Sequence, residues 1–165
     1  MFVDARSIPE ATTVDADLCI VGAGAAGITL AREFRGFGGR TILLEAGGVD
    51  GDAETTQLND GTSVGAPYPP LIASRARIFG GTTSMWGGWC RPATAADFQP
   101  KAWIPYSGWP IRRESLDPYY VKAHEICDLG PYNYEIDFWV SKGYEIPKQF
   151  GGSRLESIMT QFSPP

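Results

Sequence analysis

The feature that most constrains this chain is the run Gly22-Ala23-Gly24-Ala25-Ala26-Gly27, six small residues between a short apolar segment and a stretch of helix-forming composition. The apolar segment, Leu18-Cys19-Ile20-Val21, suits a parallel strand buried on both faces, with Cys19 expected as a small buried residue. Each glycine of the run then has a separate task. Gly22 permits a sharp turn out of the strand, Gly24 lets the backbone approach a pyrophosphate, and Gly27 lets helix and strand pack closely. The helix is expected over residues 25–35, closed by Gly36, Gly38 and Gly39. Its first-turn N–H groups and positive dipole end at Ala25 and Ala26 face the same pyrophosphate.

A second strand is expected over residues 41–44, and Glu45 follows it, eighteen positions after Gly27. A carboxylate there can accept hydrogen bonds from ribose hydroxyls and repels the 2′-phosphate of NADP, so the cofactor is expected to be FAD or NAD. Strand, glycine turn, helix, strand and acidic residue come in the order that a dinucleotide-binding βαβ unit needs. The competing readings are an apolar, glycine-rich core helix and a membrane segment, and the second fails on length. Residues 18–31 are fourteen positions without a charge, against about 20 needed to cross a bilayer.

Composition narrows the alternatives. A hydrophobic fraction of 43% with 20% charged residues excludes a disordered chain. Gly and Pro, 20 and 13 residues, make up one fifth of the 165, above the average of about 12%, so much of the backbone should be loop. The net charge of −5, without a basic run, argues against a nucleic-acid partner. Cys19, Cys90 and Cys127 are odd in number and widely spaced, which gives neither a disulfide framework nor a metal site. The opening seventeen residues carry acids and a proline without an apolar core, unlike a secretory signal. A cytoplasmic location without membrane insertion is expected, with carriage by a signal-bearing partner as the alternative.

Residues 49–70 read as a long loop without periodicity. Residues 75–92, RARIFGGTTSMWGGWCRP, form the second informative stretch. Gly80 and Gly81 followed by Thr82, Thr83 and Ser84 supply N–H and hydroxyl donors suited to a phosphate or a flavin edge, and Trp86 and Trp89 supply flat apolar surface. The alternative is a glycine-rich turn with core tryptophans. Residues 103–110 are aromatic and proline-rich, a wall between cofactor and substrate regions. Asp117 is expected to cap a helix reaching about residue 128, with Pro118 at its first position and Tyr120, Ala123 and Cys127 on one face. His124, the only histidine, rides on this helix and is expected to be a packed or solvated residue rather than a catalytic one. Residues 131–152 read as irregular and substrate-facing, and residues 155–162 as a strand.

The fingerprint, followed by Leu44-Glu45-Ala46-Gly47-Gly48, then FGGTTSMWGGW, Gly108-Trp109-Pro110-Ile111 and Leu116-Asp117-Pro118-Tyr119-Tyr120, resembles the amino-terminal part of the glucose-methanol-choline flavin oxidoreductases. The likeness is to the sugar-oxidising branch with pyranose oxidase and the bacterial polyol dehydrogenases. It implies that Gly22, Gly24, Ala25, Ala26, Gly27, Glu45 and Ala46 hold the ADP half of FAD. It also implies that Arg77, Gly80, Gly81 and Thr82, with Met85, Trp86 and Gly87, run along the pyrophosphate and flavin ring. Several relatives attach flavin covalently through a histidine where Met85 stands; methionine cannot form that bond, so the FAD is expected to be dissociable. The implied reaction is oxidation of a sugar or alcohol CH–OH group, with hydride passing to flavin N5 and an electron acceptor left open.

The expected fold class is therefore α/β, an incomplete Rossmann-like FAD/NAD(P)-binding βαβ fold with the start of a substrate-binding region. The expected division is an extension at 1–14, the first segments of the FAD domain at 15–100, and a truncated substrate or cap region at 101–165. The family's catalytic histidine lies near the carboxyl end and no residue here matches it, so no catalytic residue is assigned. A fragment, or one half of a split enzyme with a complementary polypeptide, is expected. The alternatives are a cofactor-binding subunit inactive alone and an NAD-linked Rossmann reductase.

Overall fold

The computed structural model describes residues 1–145 and 157–164. The protein is a mixed α/β chain that divides into two compact units, Met1–Trp86 and Gly87–Pro165. The division falls inside the segment assigned from sequence to the cofactor domain.

In the first unit, β1 (Leu18–Val21) runs into the glycine turn, α1 (Ala25–Glu33) follows, and β2 (Thr41–Leu44) returns parallel to β1, with Leu18 opposite Thr41 and Val21 opposite Leu44. Asp17 fixes this register from below, because its carboxylate accepts the Arg40 N–H at 2.7 Å. The Gly22 N–H donates to the Leu44 carbonyl at 2.7 Å and fixes it from above. α1 is two residues shorter than expected: the Phe34 N–H already closes onto Leu30, and Gly36 and Gly38 then turn the chain at positive φ.

The expectation of a strand covered on both faces is corrected. Ile20 is buried, but Cys19 is exposed and Val21 is 81% exposed. Side chains alternate across a strand, and this two-stranded sheet carries α1 in contact with it while its outer face stays open to solvent. Ile20 and Ala23 are the buried apolar side chains among the described residues.

The loop expected at 49–70 contains a helical turn, α2 (Ala53–Gln57), started by Asp52, whose carboxylate accepts the Thr55 N–H at 2.7 Å. A further turn, α3 (Leu71–Ser74), leads to the second glycine cluster. There Gly81–Met85 forms a 3₁₀ helix.

In the second unit, β3 (Trp89–Cys90) pairs antiparallel with β4 (Gln161–Phe162). α4 (Ala95–Phe98) opens with a capping box between Thr94 and Asp97. A 3₁₀ turn at Arg113–Leu116 runs directly into α5 (Asp117–Ile126). That continuity explains why Asp117 does not cap the helix as expected: it is itself the first helical residue, and its carboxylate is held by Arg113 and by the Tyr132 hydroxyl at 2.7 Å. Two further expectations are corrected. The 131–152 region, expected to be irregular, contains α6 (Ile136–Ser141), where Trp139 Nε1 donates back to the Asn133 carbonyl and packs the helix on its own lead-in; 146–152 lie outside the described residues. The strand expected over 155–162 is confined to Gln161–Phe162 among the described residues; 155 and 156 lie outside them.

Candidate functional site

The glycine turn is built as the residue types require, and each glycine answers to a different atom. Gly22 has φ +97°, which favours a residue without a side chain. A Cβ on Gly27 would lie 1.8 Å from the Gly22 carbonyl oxygen, so the helix can approach the turn only with glycine at that position. Gly24 is different. It is the N-cap of α1, at φ −78° and ψ −175°, and a Cβ built on it meets nothing within 4 Å. Any L-residue could occupy that conformation, so the chain's own packing gives no reason for glycine there. Beyond Gly24, the first-turn N–H groups of Ala25, Ala26 and Gly27 have no intrahelical acceptor.

Glu45 stands one residue past β2, as the motif needs, and its carboxylate folds back over the turn. Oε2 accepts the N–H of fully buried Ala23 at 2.7 Å. Oε1 accepts the N–H groups of Ala46 at 2.9 Å and Gly47 at 3.2 Å. A carboxylate has about four acceptor positions. Three are filled by the backbone, and one on Oε2 is left for a hydroxyl.

The second glycine cluster comes to the first. The Gly80 N–H donates to the Ala23 carbonyl at 2.8 Å, Gly80 and Gly24 form a parallel bridge, and a Cβ on Gly81 would lie 3.0 Å from the Gly24 Cα. Gly80 and Gly81 both have positive φ. The approach is guided from the other side by Gly47 and Gly48. The Phe79 N–H donates to the Gly48 carbonyl at 2.9 Å, and a Cβ on Gly47 would lie 1.9 Å from the Arg77 carbonyl oxygen. The Gly and Ala residues of 22–27, 46–48 and 80–81, separated by up to 59 positions, are thus brought together, with the larger side chains of Glu45, Arg77, Ile78 and Phe79 beside them.

The remaining expected residues fall in different places. Thr82 accepts the Ala76 N–H on its hydroxyl at 3.3 Å, and Thr83 donates its hydroxyl to the Gly80 carbonyl. Arg77 turns its side chain to the loop after α2: Nε donates to Asn59 Oδ1 at 2.8 Å, and Asn59 in turn donates to the Arg75 carbonyl. Asn59 was not picked out from the sequence, and nothing in its spacing signals the role. Met85 and Trp86 are exposed at the end of the first unit, and Gly87 is the first residue of the second.

His124 in the second unit is buried, with two partners that no local spacing signals. Nδ1 lies 2.8 Å from the Gly130 carbonyl and Nε2 3.0 Å from the Tyr134 hydroxyl. A carbonyl can only accept, so Nδ1 carries a proton, and Nε2 shares a hydrogen bond with the Tyr134 hydroxyl. Both ring nitrogens are engaged in packing the helix, which accords with the expectation of a packed residue. Trp103 and Trp109, in the aromatic 103–110 stretch, are both more than half exposed.

No family model, curated protein or solved structure matched the chain in the three comparisons made.

Proposed function

We propose that the first unit binds FAD without a covalent bond, through a Rossmann-like βαβ unit, as the cofactor-holding portion of an oxidoreductase acting on the CH–OH group of a sugar or alcohol. The observation that carries this reading is the junction of the two glycine clusters, where Gly24 is bridged to Gly80 at the N-terminus of α1. Backbone of Gly and Ala residues meeting beside helical N–H groups without intrahelical acceptors is what an extended diphosphate requires.

Gly24 adds support of its own. Glycine there relieves no contact within the chain, whereas a pyrophosphate approaching the backbone would need the space. The residues present fit the ADP half: Ala25, Ala26 and Gly27 would donate to the pyrophosphate, and the open position on Glu45 Oε2 would accept from a ribose hydroxyl. The same carboxylate disfavours a 2′-phosphate, which separates FAD from NADP. The choice of FAD over NAD rests on the FGGTTSMWGGW stretch and the resemblance it carries.

A bound flavin would supply the hydride acceptor. This chain's residues orient the dinucleotide. No residue here is assigned as the base, and both ring nitrogens of His124 have partners within the second unit.

The test is reconstitution of the full chain with FAD and, separately, with NAD, followed by desalting. The expected protein retains the visible flavin bands and loses them to the filtrate on denaturation. Retention of NAD with no retention of FAD would overturn the reading, and flavin remaining on the denatured polypeptide would overturn its non-covalent part.

A further inference from the structure

We propose that Asn59 is a positioning residue of the dinucleotide site: its side-chain amide latches the second glycine cluster where it meets the first. The inference rests on the proposed binding of FAD by the first unit and names the residue that keeps that site in shape. All the groups involved lie within that unit.

Residues 75–79, which deliver Gly80 and Gly81 to the turn at Gly24, belong to no helix or strand. Backbone of that kind keeps its place through individual contacts rather than a ladder of hydrogen bonds. Asn59 supplies two of them. Its Oδ1 accepts from Arg77 Nε at 2.8 Å, and its Nδ2 donates to the Arg75 carbonyl at 3.1 Å. The direction of the amide follows from its partners, because a guanidinium can only donate and a carbonyl can only accept. One planar group thus grips this segment at two residues. Asn59 and Arg77 are both half-buried, and a hydrogen bond from a charged donor is worth more than a neutral one.

Asn59 is itself anchored. α2 starts at the Asp52 cap, and the Asn59 N–H closes onto the Thr56 carbonyl at 3.0 Å. The grip therefore passes from a capped helical turn to Arg77, whose carbonyl abuts Gly47, and on to Phe79 and Gly80. There the Phe79 N–H meets the Gly48 carbonyl at 2.9 Å and the Gly80 N–H meets the Ala23 carbonyl at 2.8 Å. Asn59 acts on the glycine junction through Arg75 and Arg77. Releasing it frees the second cluster while the register of β1 on β2, fixed by Asp17 and Gly22, is held separately.

The experiment compares the full chain with its Asn59→Ala, Arg77→Met and doubly substituted variants. FAD is titrated by its fluorescence, and amide hydrogen exchange is followed without ligand. Asn59→Ala should weaken FAD binding at least about fivefold, the equivalent of one hydrogen bond. The double variant should bind no more weakly than the weaker single one, because the two side chains act as a unit. In the ligand-free Asn59→Ala chain, the Phe79 and Gly80 amides should exchange faster, with the Gly22 amide unchanged. A parent that retains FAD beside an Asn59→Ala variant that binds it equally well would overturn this proposal alone. So would losses that multiply in the double variant, unchanged exchange at Phe79 and Gly80, or an equal rise at Gly22, the mark of general destabilisation. A parent that retains no FAD would overturn the proposed function, and this inference with it.

Discussion

At the scale of single residues, the glycines of the turn should answer differently to substitution if the proposed dinucleotide binds there. Gly27→Ala drives a methyl group to within 1.8 Å of the Gly22 carbonyl oxygen, a backbone clash that should cost about 3 kcal/mol or more and be read directly by chemical denaturation. Gly24→Ala meets no atom of the chain, so its stability should stay within about 1 kcal/mol of the parent while FAD affinity falls at least about tenfold. Equal losses of stability in the two variants, or unchanged FAD affinity in Gly24→Ala, would contradict this assignment. Glu45 has a structural task whatever it binds, since its carboxylate accepts three backbone N–H groups. Replacing it by Gln sets an amide N–H₂ against backbone donors and risks stranding the buried Ala23 N–H. Thermal melting of Glu45→Gln should show a loss of about 1–3 kcal/mol even without ligand, which a carboxylate reserved for ribose alone would not produce.

At the scale of elements, α5 is held by a polar cluster on its first turn and an aromatic one on its last. Arg113 donates to the Ala93 carbonyl at 3.0 Å and to the Tyr132 hydroxyl at 2.8 Å, pairs with Asp117, and lies over the Tyr120 ring at 5.2 Å. The hydrogen bonds from Tyr132 and Arg113 hold the Asp117 carboxyl below the usual carboxylate range. Near the other end, burial, with the neighbouring Cys90, Tyr132 and Cys127 groups, pushes the Tyr134 hydroxyl up to about 12. An unfolded tyrosine titrates near about 10, so the folded chain holds this proton more tightly. The contribution is complete below about pH 10 and lost as pH rises towards 12. Stability measured by denaturant titration should therefore fall across that interval, and Tyr134→Phe should flatten the fall. A Tyr134→Phe profile identical to the parent's would show that the hydroxyl is not responsible. The same substitution leaves His124 Nε2 without its partner, a loss of about 1 kcal/mol at neutral pH.

At the scale of the whole molecule, the buried apolar side chains among the described residues are small in number and size, and Val21 and Leu44 lie on an uncovered sheet face. Little of the hydrophobic stabilisation available to a parallel sheet is realised. Ligand binding should then count for much of the measured stability. FAD at 100 times its dissociation constant adds about 2.7 kcal/mol, so the melting temperature should climb with FAD concentration, and a flat thermal-shift profile would tell against dinucleotide binding. With a net charge of −5 and Arg77 engaged by Asn59, the phosphates would be met mainly by backbone N–H dipoles. Among the described residues no helix is long and apolar enough to cross a membrane.

The local elements of the first unit were legible in the sequence because their determinants are local. Apolar runs, a glycine turn and a terminating glycine cluster act over a few residues, and β1, α1 and β2 appeared within two residues of where those signals put them. The meeting of Gly24 with Gly80, the fold of Glu45 onto Ala23 and the two partners of His124 were decided by tertiary structure alone. Each joins positions that no short-range periodicity relates. The exposure of Cys19 and Val21 was misjudged for the same reason: a strand's composition shows that it can be buried, and only the elements packed on each face determine whether it is.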